Sequence, residues 1–164
     1  HLLADGEIVG WYQGNGEVGP RALGNRCILM DPSLEHGKEK INKKVKGREG
    51  FRPFSGTVLT EHRDEYFDLP FENSYMLYLS NMKKDLPAIQ HVDNTCRHQT
   101  LSDENPVYRD LIKSFYDITG IPILLNTSLN IGGKPIAGTK RDALKVFYET
   151  ELDALFIGNE YYHK

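Results

Sequence analysis

Residues 105–130 read NPVYRDLIKSFYDITGIPILLNTSLN, and this stretch decides the fold class. Asn105 is a helix N-cap type, Pro106 suits a first helical position, and Gly120 is a C-terminal stop. Between them Val107, Leu111, Ile112, Phe115 and Ile118 recur at helical spacing. The spacing predicts a helix over 106–119 with that face turned inward. After the stop, Ile123-Leu124-Leu125 is a continuous apolar run of strand length. A helix handed directly to a buried strand is the unit of an α/β domain.

Working outward, a Gly-rich turn through 131–133 precedes a predicted helix from about Lys140 to Glu149, capped by Thr139, and a strand over Ala154–Ile157. On the N-terminal side, strand formers occupy Glu7–Gln13, Cys27–Met30, Thr57–Thr60, Met76–Leu79, Ile89–Val92 and Cys96–Leu101. Arg21–Gly24 reads as one helical turn and Glu61–Phe67 as a turn or two. Leu34–Val45 reads as a helix capped by Ser33, with Leu34, Ile41 and Val45 inward. Elements alternate in the second half and mix irregularly in the first, which predicts an α/β domain with a mixed sheet.

The 164 residues suit one domain over 1–164. No run of about 18 apolar residues is present, so no membrane span is predicted. No signal-peptide pattern opens the chain either, and a cytoplasmic location is expected. The sequence starts at His1 without a Met, as a fragment of a longer polypeptide would. Cys27 and Cys96 lie far apart without a CxxC, so two reduced thiols are expected rather than a disulfide or zinc site. The six histidines show no ligand spacing, and no metal site is predicted. A net charge of -3 argues against nucleic acid as a partner.

Four segments place polar and basic residues beside glycine or at strand ends, where ligands bind. The first is Glu17–Arg26, EVGPRALGNR, where glycines let backbone amides approach an anion and Arg21 adds a bidentate fork. A tight turn with Arg21 paired to Glu17 is the competing reading. The second, Lys46–Phe54, KGREGFRPF, carries Lys46, Arg48 and Arg52 within seven residues. Glu49 alone does not balance them, so an anion or an acidic partner is implied. The third, His91–Thr100, offers Arg97, with His91 and His98 read as structural. The fourth, Leu124–Asn130, ends a buried strand in Asn126, Ser128 and Asn130, neutral groups suited to an amide or a phosphate, or to a self-satisfied turn. Together they predict a pocket for a phosphorylated or nucleotide ligand.

GWYQGNGEVGPRALGNRCIL, DPS, KGREGFRPF, HVDNTCRHQT, TGIPILLNTSLNIGGKPI and DALKVFYETELDALFIG, in this order, resemble the C-terminal domain of the NodU-type O-carbamoyltransferases over nearly the whole chain. The resemblance implies a YrdC-like α/β fold, a mixed twisted sheet with flanking helices. It also implies an N-terminal Kae1-like partner domain in the same polypeptide, and iron is expected only there. The KxR and SxN pairs of that fold match Lys46-Gly47-Arg48 and Ser128-Leu129-Asn130. By this resemblance the domain would bind carbamoyl phosphate and ATP with Mg2+, and form carbamoyl-adenylate for transfer to an acceptor hydroxyl. Lys46, Arg97 and Ser128 would be catalytic, with Arg21, Lys46 and Arg97 on phosphate oxygens. Arg48 and Arg52 would support the pocket or hold the polyphosphate, and Asn126, Ser128 and Asn130 would orient the carbamoyl amide and adenylate. The alternative is a nucleotide- or RNA-binding YrdC-like module without carbamoylation activity. The sequence departs from the family pattern at Cys27, Ser55-Gly56, Asn94, Cys96 and Leu129, none of them a charged candidate.

Overall fold

The computed structural model describes residues 1–164. Eight strands form one mixed sheet: β1 (Val9–Tyr12), β2 (Arg26–Met30), β3 (Ser55–Leu59), β4 (Leu79–Asn81), β5 (Thr95–Leu101), β6 (Ile123–Ser128), β7 (Ala154–Ile157) and β8 (Glu160–His163). Their order across the sheet is β4-β5-β3-β6-β2-β1-β7-β8. The β1–β7 and β3–β5 pairs are parallel and the other five antiparallel. Four α-helices flank it: α1 (Gly37–Ile41), α2 (Arg63–Tyr66), α3 (Pro106–Thr119) and α4 (Lys140–Glu149). None is long and apolar enough to cross a membrane.

Strand side chains alternate between two cores, because successive residues point to opposite faces. Ile28, Met30, Ile123, Leu125, Leu155 and Ile157 pack with Ile41, Val45, Ala143, Val146 and Phe147 on the α1/α4 side. Cys27, Leu29, Leu59, Leu101, Leu124 and Ala154 pack under α3. The α3 face is rotated from the predicted one. Tyr108, Ile112 and Phe115 are buried, while Val107 and Ile118 are 57% and 49% exposed. Burying the Tyr108 ring gains more apolar contact than burying Val107, and each such side chain contributes about 1.5–3 kcal/mol. The Asn105 cap, Pro106 start and Gly120 stop occur as expected. So does the Thr139 cap, which forms a capping box with Asp142.

Several sequence expectations are corrected. The helix does not begin at Leu34 under a Ser33 cap. The backbone N–H and hydroxyl of Ser33 both donate to Asp31 Oδ1, so the 31–33 turn consumes that residue. Helix α1 starts at Gly37 and runs into a π-helical turn, Asn42–Lys46, that ends on Gly47 at φ +57°. Met76–Leu79 is not a strand, because Met76 sits at φ +54° and the Asn73 side chain takes the Leu77 and Tyr78 amides. The strand there is β4. Ile89–Val92 is a turn anchored on Leu86 O rather than a strand. Arg21–Gly24 is not helical. Strand β8 was unexpected, yet Gly158-Asn159 before Glu160-Tyr161-Tyr162 is a two-residue hairpin signal.

His98 on β5 is fully buried, stacked on Phe67 at 3.9 Å with Nδ1 3.0 Å from Ser80 Oγ. Burial, followed by the Arg63 charge, pushes its imidazole from 6.5 down to about 4. Below pH 6.5 the unfolded chain binds a proton that the folded one refuses, so stability falls as pH drops toward 4. Between pH 6.5 and 5, above the main carboxylate range, the expected loss is about 2 kcal/mol. Urea unfolding at pH 7 and pH 5 checks it: the difference should shrink in His98→Gln, and an unchanged difference would rule out His98 as its source.

Candidate functional site

The Glu17–Arg26 loop is shaped by hydrogen bonds, not by an ion pair with Arg21. Glu17 Oε1 accepts from the backbone amides of Leu23, Asn25 and Arg26 at 2.7, 2.8 and 3.2 Å. From the sheet, Asn126 Nδ2 donates to Ala22 O at 3.0 Å and Gln99 Nε2 to Leu23 O at 3.1 Å. Cross-linked this way, the loop lies over the α3-side face of the sheet, where the alternation of β3, β5 and β6 also sends Ser55, Arg97 and Asn126. Arg21 itself stays exposed.

Between loop and sheet is a hollow of about 160 Å³ whose lining includes Arg21, Arg48, Arg97, Asn126 and Ser128. It is continuous with an outer, more apolar hollow of about 650 Å³ that shares Arg21, Phe54, Met76 and Arg97 and adds Val18, Tyr75, Leu77 and Leu79. Arg97 is half-buried, donates to Ser55 Oγ at 3.2 Å and has no carboxylate partner. Burial, then the neighbouring Arg21 charge, lowers its pKa below the usual guanidinium range. Arg48 donates to Asn42 Oδ1 at 2.6 Å and lies over the Phe54 ring at 5.0 Å. Burial and Arg52 lower its pKa too. Clustered cations shifted this way are relieved by a bound anion.

Of the sequence candidates, Arg21, Arg48, Arg97, Asn126 and Ser128 meet at this hollow. Arg52 does not line it and pairs with Glu49 at 2.8 Å on the surface. Lys46, 3% exposed, lies behind it: Nζ donates to Ser128 O at 2.5 Å, Asn130 O at 3.1 Å and Asn130 Oδ1 at 2.7 Å. Burial and Arg48 push its ammonium down to about 7, while the three oxygens favour the charged form. Its backbone is pinned as well. Gly132 N donates to Lys46 O at 3.1 Å, and a Cβ on Gly132 would stand 2.2 Å from that oxygen. Asn130 Nδ2 donates to Lys134 O.

Sequence reasoning missed Ser55, Thr57, Gln99 and Met76. A signal existed for Ser55, which follows KGREGFRPF directly. Thr57 and Gln99 are ordinary strand residues until the β5-β3-β6 order sets them side by side. Both thiols are fully buried, and burial pushes that of Cys96 up to about 12 and raises that of Cys27 further, which removes them as nucleophiles. No group of three or more His, Cys, Asp or Glu side chains is placed to hold a metal ion.

The sequence matches the family profile described as "Carbamoyltransferase C-terminus" over residues 1–164. It is 45% identical over 165 residues to nodulation protein NolNO of Sinorhizobium fredii, covering 96% of this chain and 24% of that protein. It is 33% identical over 165 residues to the 3'-hydroxymethylcephem-O-carbamoyltransferase of Amycolatopsis lactamdurans, covering 99% of this chain and 32% of that enzyme. The chain therefore spans about a quarter to a third of the length of these relatives. In structure it is similar to full-length HypF in a phosphate- and nucleotide-bound form, with a TM-score of 0.70 at 18% identity over 96% of this chain and 24% of HypF. The MTH1692 protein of Methanobacterium thermoautotrophicum is similar with a TM-score of 0.54 at 17% identity, over 96% of this chain and 71% of that one. Both likenesses agree with the expected mixed sheet and flanking helices.

Proposed function

Because this chain belongs to the carbamoyltransferase C-terminus family, we propose that its inner hollow seats carbamoyl phosphate and its outer hollow the nucleoside end of ATP, for synthesis of carbamoyl-adenylate. The observation that carries this reading is the convergence of Arg21, Arg48 and Arg97 with Asn126 and Ser128 on one small hollow. At about 160 Å³ it falls below the ~300–1,000 Å³ of sites for larger ligands, which suits a small acyl phosphate rather than a whole nucleotide. The outer hollow, at about 650 Å³, falls in the ~300–1,000 Å³ range of larger ligands, and its apolar lining suits a base and ribose.

The reaction balances with one water. Water takes the phosphoryl group of carbamoyl phosphate as orthophosphate and leaves carbamate. A carbamate oxygen then attacks the α-phosphorus of ATP, the α–β P–O bond breaks, and pyrophosphate departs with the Mg2+ that entered with the nucleotide. Arg21 and Arg97 would stabilise the charge that develops on the phosphate oxygens, and Arg48 would support them. Lys46 would act through Ser128 and Asn130, which hold its ammonium hydrogens. Arg52 would serve the incoming polyphosphate from the surface. A partner domain in the longer polypeptide would pass the carbamoyl group to an acceptor hydroxyl.

Calorimetric titration of the chain with carbamoyl phosphate, with and without MgATP, tests the reading alongside a pyrophosphate-release assay. Binding of carbamoyl phosphate and release of pyrophosphate only when both substrates are present is expected. A folded chain that binds neither would overturn it.

A further inference from the structure

Hydrogen-bond polarity at the hollow's floor can be traced from groups whose roles are unambiguous. A backbone carbonyl only accepts, and an ammonium only donates. Leu23 O is met by the Gln99 amide, so the atom facing it is Nε2 and the other end of that amide is Oε1. Gln99 Oε1 is 3.0 Å from Thr57 Oγ1, which must therefore donate its single hydrogen there. With that hydrogen committed, Thr57 Oγ1 can only accept from Asn126, at 3.0 Å. Ala22 O, also at 3.0 Å, makes the same demand. Both hydrogens of Asn126 Nδ2 are thus spent, and Oδ1, buried without a partner, remains an acceptor. A second chain runs in parallel. Lys46 Nζ and Lys134 O together fix Asn130, so Asn130 Oδ1 takes the Ser128 hydroxyl hydrogen at 2.7 Å. Ser128 Oγ is left with lone pairs only. Asn126 and Ser128 stand two apart on β6 and both line the inner hollow.

We infer that Thr57 and Gln99 on one side, and Lys46 and Asn130 on the other, are positioning residues that hold Asn126 Oδ1 and Ser128 Oγ as acceptors. The hollow therefore selects a ligand carrying an NH2 group beside its anion. This rests on the reading of the hollow as the seat of carbamoyl phosphate, and it specifies which acyl phosphate is accepted. The arginines supply donors for the phosphate, and the β6 pair supplies acceptors for the two amide hydrogens. Acetyl phosphate, with CH3 in place of NH2, satisfies the first set and leaves the second unpaired.

The test is competitive titration of the chain with carbamoyl phosphate, acetyl phosphate and inorganic phosphate. Wild type should prefer carbamoyl over acetyl phosphate by about tenfold or more. Thr57→Val keeps the shape, removes the hydroxyl and lets the Asn126 amide pivot about Ala22 O. The preference should fall by about threefold or more, with affinity for inorganic phosphate unchanged. Thr57→Ser should restore it. Equal affinity for the two acyl phosphates, or a preference that survives Thr57→Val, would overturn the polarity inference alone. No binding of any of the three anions by folded wild type would overturn the reading of the hollow and this inference with it.

Discussion

Arg97→Ala is expected to weaken the proposed carbamoyl phosphate binding by about 30- to 100-fold, while the ligand-free protein keeps or gains stability. Both halves of this expected result follow from the same geometry. Arg97 is half-buried beside Arg21 with one hydrogen bond, to Ser55 Oγ, and no carboxylate. Without ligand it contributes repulsion and desolvation, so its loss removes a cost. With an anion in the hollow it makes charge-assisted hydrogen bonds, worth about 1.5–3 kcal/mol each. Calorimetry reads the first half and thermal melting the second. Arg97→Lys should recover only part of the affinity, because an ammonium lacks the planar fork. Undiminished affinity in Arg97→Ala would remove Arg97 from the site. An equal loss of affinity and stability would instead make it a structural residue.

Lys46→Ala, by contrast, should be felt first as instability. Its ammonium ties the π-helical turn to Ser128 O, Asn130 O and Asn130 Oδ1, and truncation leaves three partly buried oxygens short of a donor. A net cost of about 2–4 kcal/mol is expected after partial rescue by water, or roughly 5–15 °C in melting temperature for a chain of this size. The pH dependence has a definite sign. The folded-state pKa of about 7 lies below the ordinary 10.5 of the unfolded chain. Between those values the unfolded state holds the extra proton, so this residue's contribution to stability grows as pH rises from 7 toward 9. Its ceiling is about 1.4 kcal/mol per pH unit, reduced by the three oxygens that favour the ammonium. Lys46→Met, which keeps the stem and drops the charge, should flatten that slope in chemical denaturation at pH 7, 8 and 9. A slope identical to wild type would show that Lys46 stays protonated throughout.

Much of this molecule was legible in its sequence wherever the controlling forces are local. The Asn105 and Thr139 caps, the Gly120 stop and the apolar run at 123–125 act within a few residues, and each occurs where expected. The four candidate segments were legible because glycine, arginine and strand-end amides have few bland uses in such density. Expectations failed where a distant or opposed group prevailed. Ser33 gave its donors to Asp31 instead of capping a helix. Met76 was turned out of strand geometry within a loop held by Asn73. The competing ion pair of Arg21 with Glu17 does not form, because Glu17 Oε1 accepts from three backbone amides.

By itself, the sequence determined the α/β class, the ends of the two long helices α3 and α4, the residue types available for anion chemistry and, through its motifs, the carbamoyltransferase family. Only the tertiary structure decided which of those residues share a hollow. Sheet order β5-β3-β6 brings Gln99, Thr57 and Asn126 together across 42 and 69 residues of chain, and Lys46 reaches Ser128 and Asn130 over 82 and 84. Spacing along the chain reports local periodicity and turn chemistry. A hydrogen-bond partner that far away is chosen by strand pairing and by the need to satisfy every buried polar group.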